Sequence, residues 1–295
     1  MLEHGSPEPL HLARVVVIGA GGFVGSTIVR ELAAAAVPVQ PLTRREVDLL
    51  APEAAPRLAG VLSPGDSVVF VSAIAPAKTS AQLMQNLRMV EAACQAMAAK
   101  PPGHLLYVSS DAVYADDANP VTERSPLAPS TLHGMMHAAR ELMLKSSVKA
   151  PFAALRPTLI YGAADPHSGY GPNRFRRQAA KGEPIAIFGE GEERRDHVLV
   201  EDVAKLAVLI LRRRSAGALN AVTGESVSFH DVARLVAAQH RPAVDVVSVP
   251  RPGPRPHLLH RHFDITACLK AFPDFHFTPL AEGIARVHGQ RPEEG

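Results

Sequence analysis

Tryptophan is absent from this 295-residue chain, cysteine occurs twice and tyrosine four times. The two cysteines, Cys94 and Cys268, form neither a metal-binding nor a redox spacing, and they fit reduced thiols in a cytoplasmic protein. No apolar run approaches the roughly 20 residues needed to cross a bilayer, which argues against a transmembrane helix. An excess of either charge is also missing. The 31 Lys and Arg against 29 Asp and Glu leave a formal net charge of +2, so no basic face marks nucleic acid as a partner. Met1 to His11 lacks a charged-then-apolar signal pattern; polar and proline-containing, it is expected to form a loose tail, with residues 1–13 outside the fold. What the chain does have is proline, 26 residues of it, which suggests a loop-rich second half. Its length suits one large α/β domain or two unequal lobes sharing a core.

Arg14 to Ile18 is a short apolar, β-branched run that opens directly into Gly19-Ala20-Gly21-Gly22-Phe23-Val24-Gly25. A helical pattern follows through Ala36, with Ile28, Val29 and Leu32 on its inner side. Strands are expected at Val37–Leu42, Ser67–Ser72, His104–Ser109 and Phe152–Arg156, with helices at Gln82–Ala99 and Pro129–Ser146. Such alternation implies parallel strands joined by right-handed crossovers, a doubly wound α/β sheet of the Rossmann type whose ligands bind beyond the carboxyl ends of the strands. Past Gly162 the alternation fades. Helices are expected at Arg174–Lys181, Val200–Arg212 and Phe229–Gln239, with Gly217–Val222 returning one strand to the main sheet and Pro250–Pro256 as a proline-dense linker. The expected division is a dinucleotide-binding domain over 14–165 and a smaller, mainly substrate-binding lobe over 166–295.

Gly19, Gly22 and Gly25 are spaced G-x-x-G-x-x-G between a strand and a helix. Glycine is needed where the chain turns sharply and its backbone must approach a pyrophosphate that meets the free amides of the helix N-terminus. Phe23 and Val24 begin that helix and belong to the same cofactor surface. The next strand ends at Thr43-Arg44-Arg45 with no acidic residue at its tip. Arg44 or Arg45 can pair with a 2′-phosphate, which favours NADP over NAD; Asp48, beside Leu49, can accept from the adenine amino group.

At this point the chain resembles the extended short-chain dehydrogenase/reductases, the NAD-dependent epimerase/dehydratase group that acts on sugar nucleotides. The likeness runs from about Arg14 to near Gln239. Gly19 to Gly25 is similar to the T-G-x-x-G-F-x-G turn, with Ile18 in place of threonine. Ser72-Ala73-Ile74-Ala75 stands at the H-x-A-A strand end, and Asn86 matches an asparagine on the helix that follows. Ser109-Ser110-Asp111-Ala112-Val113-Tyr114 resembles S-[ST]-x-x-V-Y; Leu155-Arg156-Pro157 with Tyr161-Gly162 resembles L-R-P-x-x-x-Y-G. Phe188-Gly189-Glu190-Gly191 and Arg195-Asp196 through Asp202-Val203 complete the order. The resemblance implies that Ala73, Ile74, Ala75 and Pro157 line the cofactor. It gives Ser110 the hydrogen bond to the reacting sugar oxygen, puts Tyr114 and Asn173 at the substrate, and sets Arg195 on its diphosphate or in a salt bridge with Asp196 or Asp202. Asp111 resembles the dehydratase aspartate, but Ala112 replaces the glutamate expected next, which argues against a 4,6-dehydratase.

The family's Y-x-x-x-K dyad aligns onto His133 and His137. All four tyrosines (Tyr107, Tyr114, Tyr161 and Tyr170) lie off this helix, and Lys145 is two turns beyond His137. The spacing of four puts both imidazoles on one helix face, one turn apart. Three readings compete. In the first, His133 is the general acid/base, titrating near pH 6.5 with no cation to tune it, and His137 keeps the ribose hydrogen bond as a neutral group. In the second, the cleft binds NAD(P) without turnover, as in a regulatory or accessory protein. In the third the pair ligates a metal, although no third ligand is near in sequence. His257 to His262 and His167 are expected at the surface or an interface. The expected function is an NAD(P)-dependent epimerase or reductase of a nucleotide-activated sugar, cytoplasmic, with neither nucleic acid nor membrane as a partner. A homodimer would form through the Pro129–Ser146 helix and its Met135, Met136, Leu142 and Met143, which could equally be core.

Overall fold

Short apolar runs become the strands of one parallel sheet. The computed structural model describes residues 1–251, 253 and 259–290. In chain order its first half contains β1 (Val15–Ile18), α1 (Phe23–Ala34), β2 (Val39–Leu42), α2 (Ala54–Val61), β3 (Ser67–Phe70), α3 (Ser80–Ala99), β4 (His104–Val108), a 3₁₀ turn at Asp111–Val113, α4 (Leu132–Ser147) and β5 (Phe152–Pro157). The second half contains β6 (Leu159–Tyr161), α5 (Pro172–Ala180), β7 (Ile185–Phe188), β8 (Arg194–Leu199), α6 (Val200–Arg212), β9 (Gly217–Ala221), β10 (Ser226–Ser228), α7 (Phe229–Ala237), β11 (Val246–Val249), α8 (Thr266–Ala271) and α9 (Leu280–Gly289).

The main sheet has the order β2-β1-β3-β4-β5-β9, with every pairing parallel. Strand residues alternate between two cores, as a period of two requires. Val15 and Val17 join Ile28, Leu32 and Leu206 under α1 and α6. Val16 and Ile18 join Phe70, Met97, Tyr107 and Leu144 under α2, α3 and α4. Burial on both faces explains why β1 reads as an unbroken apolar run rather than an alternating one. Pro41 is tolerated because β2 is the sheet edge, where its missing N–H breaks no ladder. The chain direction across the sheet reverses between β1 and β3, which opens a crevice at their carboxyl ends.

Beyond this sheet, β10-β8-β6 and β11-β7 form two small sheets that share a core with α5, α7 and α9, built from Phe175, Ile187, Phe229, Val232 and Ile284. The two parts are interleaved rather than divided at residue 165. β6 lies before that point in the small lobe, whereas α6 and α8, besides the expected returning strand β9, lie after it and pack on the main sheet. The N-terminal segment is not loose. Glu3 bridges Ala216, Ser6 and Leu10 donate their amides to the Arg213 and Arg212 carbonyls, His4 bonds Ser215 and Ala271, and Leu12 is buried. Polar side chains gave no hint of this docking because the backbone makes most of it. On α4, Met136 is buried and Met143 half-buried, while Met135 and Leu142 are exposed, as is Met84 on α3. Of the proline-dense segment, 252 and 254–256 lie outside the described residues, as does His257; His260 and His262 are exposed and Arg261 is buried.

Gly134 lets α4 approach the Asp111–Val113 turn: a Cβ there would overlap the Ala112 carbonyl oxygen and Pro129 Cβ. Gly134→Ala should therefore destabilise the fold by about 1–3 kcal/mol, despite the ~1 kcal/mol by which alanine favours a helix. Urea denaturation checks this; an unchanged or raised midpoint would contradict the close approach.

Candidate active site

A cleft of about 560 Å³ opens at the carboxyl ends of β1, β3, β4 and β5 and runs to the small lobe. Its floor is the glycine turn. Gly19 has φ +100°, and a Cβ would drive into the Ser72 backbone; a Cβ on Gly25 would overlap the Gly19 carbonyl. Gly22 is the N-cap of α1 and has no side chain to cap the helix, and the first turn carries no acidic residue. The free amides of that turn thus face the cleft with the positive end of the helix dipole behind them, the arrangement that receives a phosphate. Gly19, Gly22, Phe23, Val24, Ala73, Ala75 and Pro157 all line this cleft. Asn86, fully buried on α3, holds the strand end in place: its Oδ1 accepts from the Ile74 amide at 3.0 Å and its Nδ2 donates to the Ile74 carbonyl at 2.9 Å.

Gly19 and Ala73 also border a second hollow of about 170 Å³, lined by Thr43, Arg44, Asp48, Leu49, Ile74 and Met89. Arg44 pairs with Asp48 at 3.1 Å, and Asp48 also accepts from the Leu50 amide, which together hold its carboxyl below the usual range, the amide contributing most. Arg45 lines neither hollow.

Above the floor stand the residues of β4 and α4. Ser110 lines the cleft, accepts from the Ala112 amide at 3.1 Å and donates to Asp111 Oδ1 at 3.4 Å. Burial pushes the Asp111 carboxyl up, with Arg261 and Arg195 opposing it. Thr131 caps α4 by accepting from the Gly134 amide, and the helix then presents His133 and His137, whose rings meet edge to face at 4.7 Å. His137 is buried and its Nδ1 lies 2.7 Å from the hydroxyl of Tyr107. Nδ1 of His133 is buried with no hydrogen-bond partner among the described residues, and the residue lines the cleft. Burial lowers the pKa of both rings. His167 adds to the effect on His133, and His133 and Arg140 add to it on His137. His167 is exposed yet lines the same cleft. Among the described residues no group of three His, Cys, Asp or Glu could hold a metal ion.

Of the three expected substrate residues, Tyr114 and Arg195 sit away from the cleft and Asn173 lines it. Tyr114 is buried away from the cleft: its hydroxyl donates to Asn220 Oδ1 at 2.7 Å and accepts from Arg156 at 2.8 Å. Arg195 does not line the cleft either. It pairs with Glu193 at 2.6 Å, rather than with Asp196 or Asp202, and donates to the Arg194 and Leu259 carbonyls. Asn173 does line the cleft, but its amide is held by the Gly162 amide and the Ile160 carbonyl.

Two residues escaped the sequence reading. Tyr107 lies on β4, and nothing in its strand pattern marks it for the site. His197 on β8 is buried and lines the cleft, and neither ring nitrogen has a partner among the described residues. Its strand reads Arg-Arg-Asp-His-Val-Leu, so His197 stands at the end of a polar run and carries no signal of its own.

A doubly wound sheet with an uncapped, glycine-rich helix start at its crevice defines a dinucleotide-binding α/β protein. The model of the NAD dependent epimerase/dehydratase family matches residues 15–222, and the chain belongs to that family. Solved structures share its fold. A GDP-L-fucose synthetase from Naegleria fowleri, bound to NADP, is 16% identical over 96% of each chain, with a TM-score of 0.83. A UDP-glucose 4-epimerase from Thermotoga maritima, with UDP-glucose, is 19% identical over 93% of this chain and 97% of that one, with a TM-score of 0.81. A UDP-N-acetylglucosamine 4-epimerase from Methanobrevibacter ruminantium is 23% identical over 94% and 97%, with a TM-score of 0.80. No described helix is long and apolar enough to cross a membrane.

Beneath the histidines, buried Glu141 accepts two bonds from Arg156 and one from Ser109. Arg156→Met should cost about 3–5 kcal/mol by leaving a buried carboxylate unpaired, seen as a lower urea midpoint. A pH effect follows from His197, whose ring burial pushes down to about 3. Unfolded, it titrates near 6.5, so below that pH the unfolded chain binds the extra proton and stability falls as pH falls, by up to about 1.4 kcal/mol per unit. His197→Phe should flatten the stability profile between about pH 4 and 6.5. Comparing the two slopes separates this group from Asp111 and Asp196, whose raised values tilt the other way. Equal slopes would show that His197 takes up its proton in the folded protein.

Proposed function

We propose that this chain is an NAD(P)-dependent epimerase or reductase acting on a nucleotide-activated sugar, with His133 as its acid/base. The observation that supports the reading most is that one cleft is lined by the uncapped start of α1, Ser110, His133 and His137. The cleft fits a dinucleotide: the turn is built from glycines whose Cβ atoms would collide with the Ser72 backbone and the Gly19 carbonyl, so the chain can turn tightly under the ligand, and the first α1 amides have no competing cap. Gly22, Phe23 and Val24 would hold its pyrophosphate and Ala73, Ala75 and Pro157 its flanks. A bound nicotinamide supplies a hydride acceptor that can return the hydride to the same or another sugar carbon. Ser110 would hold the reacting hydroxyl oxygen. His133, kept neutral by burial, would take the hydroxyl proton as hydride leaves and give it back on reduction. His137, held neutral, would donate to the ligand without adding a charge that disfavours protonated His133.

Arg44 supports NADP. Its pair with Asp48 is exposed on the arginine side, and such pairs are worth only about 0–1 kcal/mol, so a 2′-phosphate can displace Asp48. The exposed Met135 and Leu142 on α4 are the residues through which two copies would pair.

NADPH and NADH fluorescence should shift on titration with the protein; no shift with either sinks the reading. With a panel of UDP-, GDP- and dTDP-sugars, His133→Ala should lower turnover by about 10²–10⁴-fold while dinucleotide binding persists. The acid limb of the rate profile should fall at or below the ordinary histidine pKa, since burial lowers it. Turnover unchanged in His133→Ala would refute the base. Binding with no turnover on any sugar would favour the cofactor-binding accessory protein instead.

A further inference from the structure

His137 stands where the family's lysine aligns, and the surroundings of its ring decide more than the spacing does. Tyr107 on β4 is fully buried, and its hydroxyl lies 2.7 Å from His137 Nδ1. The other polar side chain that reaches that hydroxyl is Arg140, which can only donate to it. The polar neighbour on its ring is Arg140, whose guanidinium sits 5.5 Å from the Tyr107 centroid and 4.7 Å from that of Phe70. Arg140 is itself fully buried, donates to the Ser72 carbonyl at 2.6 Å and to Met136 Sδ at 3.6 Å, and makes no salt bridge among the described residues. A guanidinium offers donors only. The Tyr107 proton therefore has one acceptor within reach, the lone pair of His137 Nδ1.

We propose that Tyr107 is a positioning residue which, backed by the donor-only Arg140, locks His137 as the Nε2–H tautomer, so that the ring presents a permanent neutral N–H donor to an oxygen acceptor of the ligand in the cleft. In the opposite tautomer Nδ1–H would donate to Oη, and the buried hydroxyl proton would be left without an acceptor. That loss is worth roughly 10- to 100-fold in population. The imidazolium is disfavoured for the same reason, since it too carries Nδ1–H. Burial pushes the Tyr107 hydroxyl up to about 12, so the donor does not lose its proton under working conditions. The titratable groups around the ring are His133 and Arg140 on its own helix and Tyr107 from the sheet, none of them an anion to favour a charged ring. The donor thus resembles a lysine in direction and differs in charge: it holds an acceptor while leaving His133 free to titrate. That the acceptor is a hydroxyl of a bound dinucleotide rests on the function proposed above; the tautomer does not.

Long-range ¹H–¹⁵N spectra of ¹⁵N-labelled protein, with His137→Asn identifying the resonances, read the tautomer directly and without ligand. His137 should show a pyrrole-like Nε2 and a pyridine-like Nδ1 throughout about pH 5.5–8. In Tyr107→Phe both tautomers should appear and the ring should accept a proton at higher pH than in the wild type. An Nδ1–H ring in the wild type, or a Tyr107→Phe spectrum identical to it, overturns the lock. The wild-type spectrum decides alone if the variant fails to fold. NADPH should then shift the wild-type Nε2 resonance and bind Tyr107→Phe about 3- to 10-fold more weakly. Equal affinity in a folded Tyr107→Phe overturns the role of the donor toward the ligand. Failure of the wild type to bind NADPH overturns the cofactor reading, while the ligand-free spectrum still decides the tautomer.

Discussion

The Glu141 carboxylate holds the candidate site together. It is buried on α4, receives a two-pronged bond from Arg156 of β5 and accepts the Ser109 hydroxyl from the end of β4. Arg156 continues to Tyr114, and Tyr114 to Asn220 of β9. Three strands and one helix are thereby tied at the carboxyl end of the sheet by partners that satisfy one another. A network of this kind is costly to build and more costly to break, because each member loses water that only the others replace. It sets the height at which α4 crosses the strands, and so how far His133 and His137 project over the cleft.

Around that network the site divides into a floor and a roof with different physics. The floor is backbone: glycines that cannot carry a Cβ, an uncapped helix start, and the Ile74 peptide clamped by Asn86. It recognises phosphate by geometry and dipole, and needs few side chains. The roof is made of side chains held neutral. His133, His137 and His197 are all pushed down by burial, and Tyr107 is pushed up. Arg140, the buried cation beneath them, is shielded by Phe70 and Tyr107 and pairs with no carboxylate among the described residues. A tyrosine and lysine would work through a charge held at the site. The α4 pair consists of two rings whose proton relations come from burial and hydrogen-bond direction.

Much of the first half was legible. The parallel strands, their helices, the glycine turn and the returning strand at Gly217–Ala221 follow from apolar runs and turn chemistry, which are local. α2 was not read, because Pro52, Pro56 and Gly60 interrupt its pattern, and the short strands of the small lobe have too few residues to show a period. The misplacements at Tyr114 and Arg195 share a cause. Both were assigned from their position in a motif, and each found a nearer partner, Asn220 for one and Glu193 for the other. A motif fixes where a backbone segment lies; it does not say which way a long side chain turns when a closer acceptor competes for it.

The sequence by itself determined the doubly wound sheet, the phosphate-binding turn at its crevice and the presence of two histidines one helical turn apart. Periodicity, glycine sterics and chain alternation act over short distances, and they leave few topologies open. Only the tertiary structure decided which of the aligned residues face the cleft, that the N-terminal segment docks along α6 and β9, and that Tyr107 and Arg140 stand behind His137. Those depend on burial and on hydrogen bonds between residues far apart in the chain. A ring's proton is placed by whatever atom lies across from it, and no spacing rule along one helix can supply that atom.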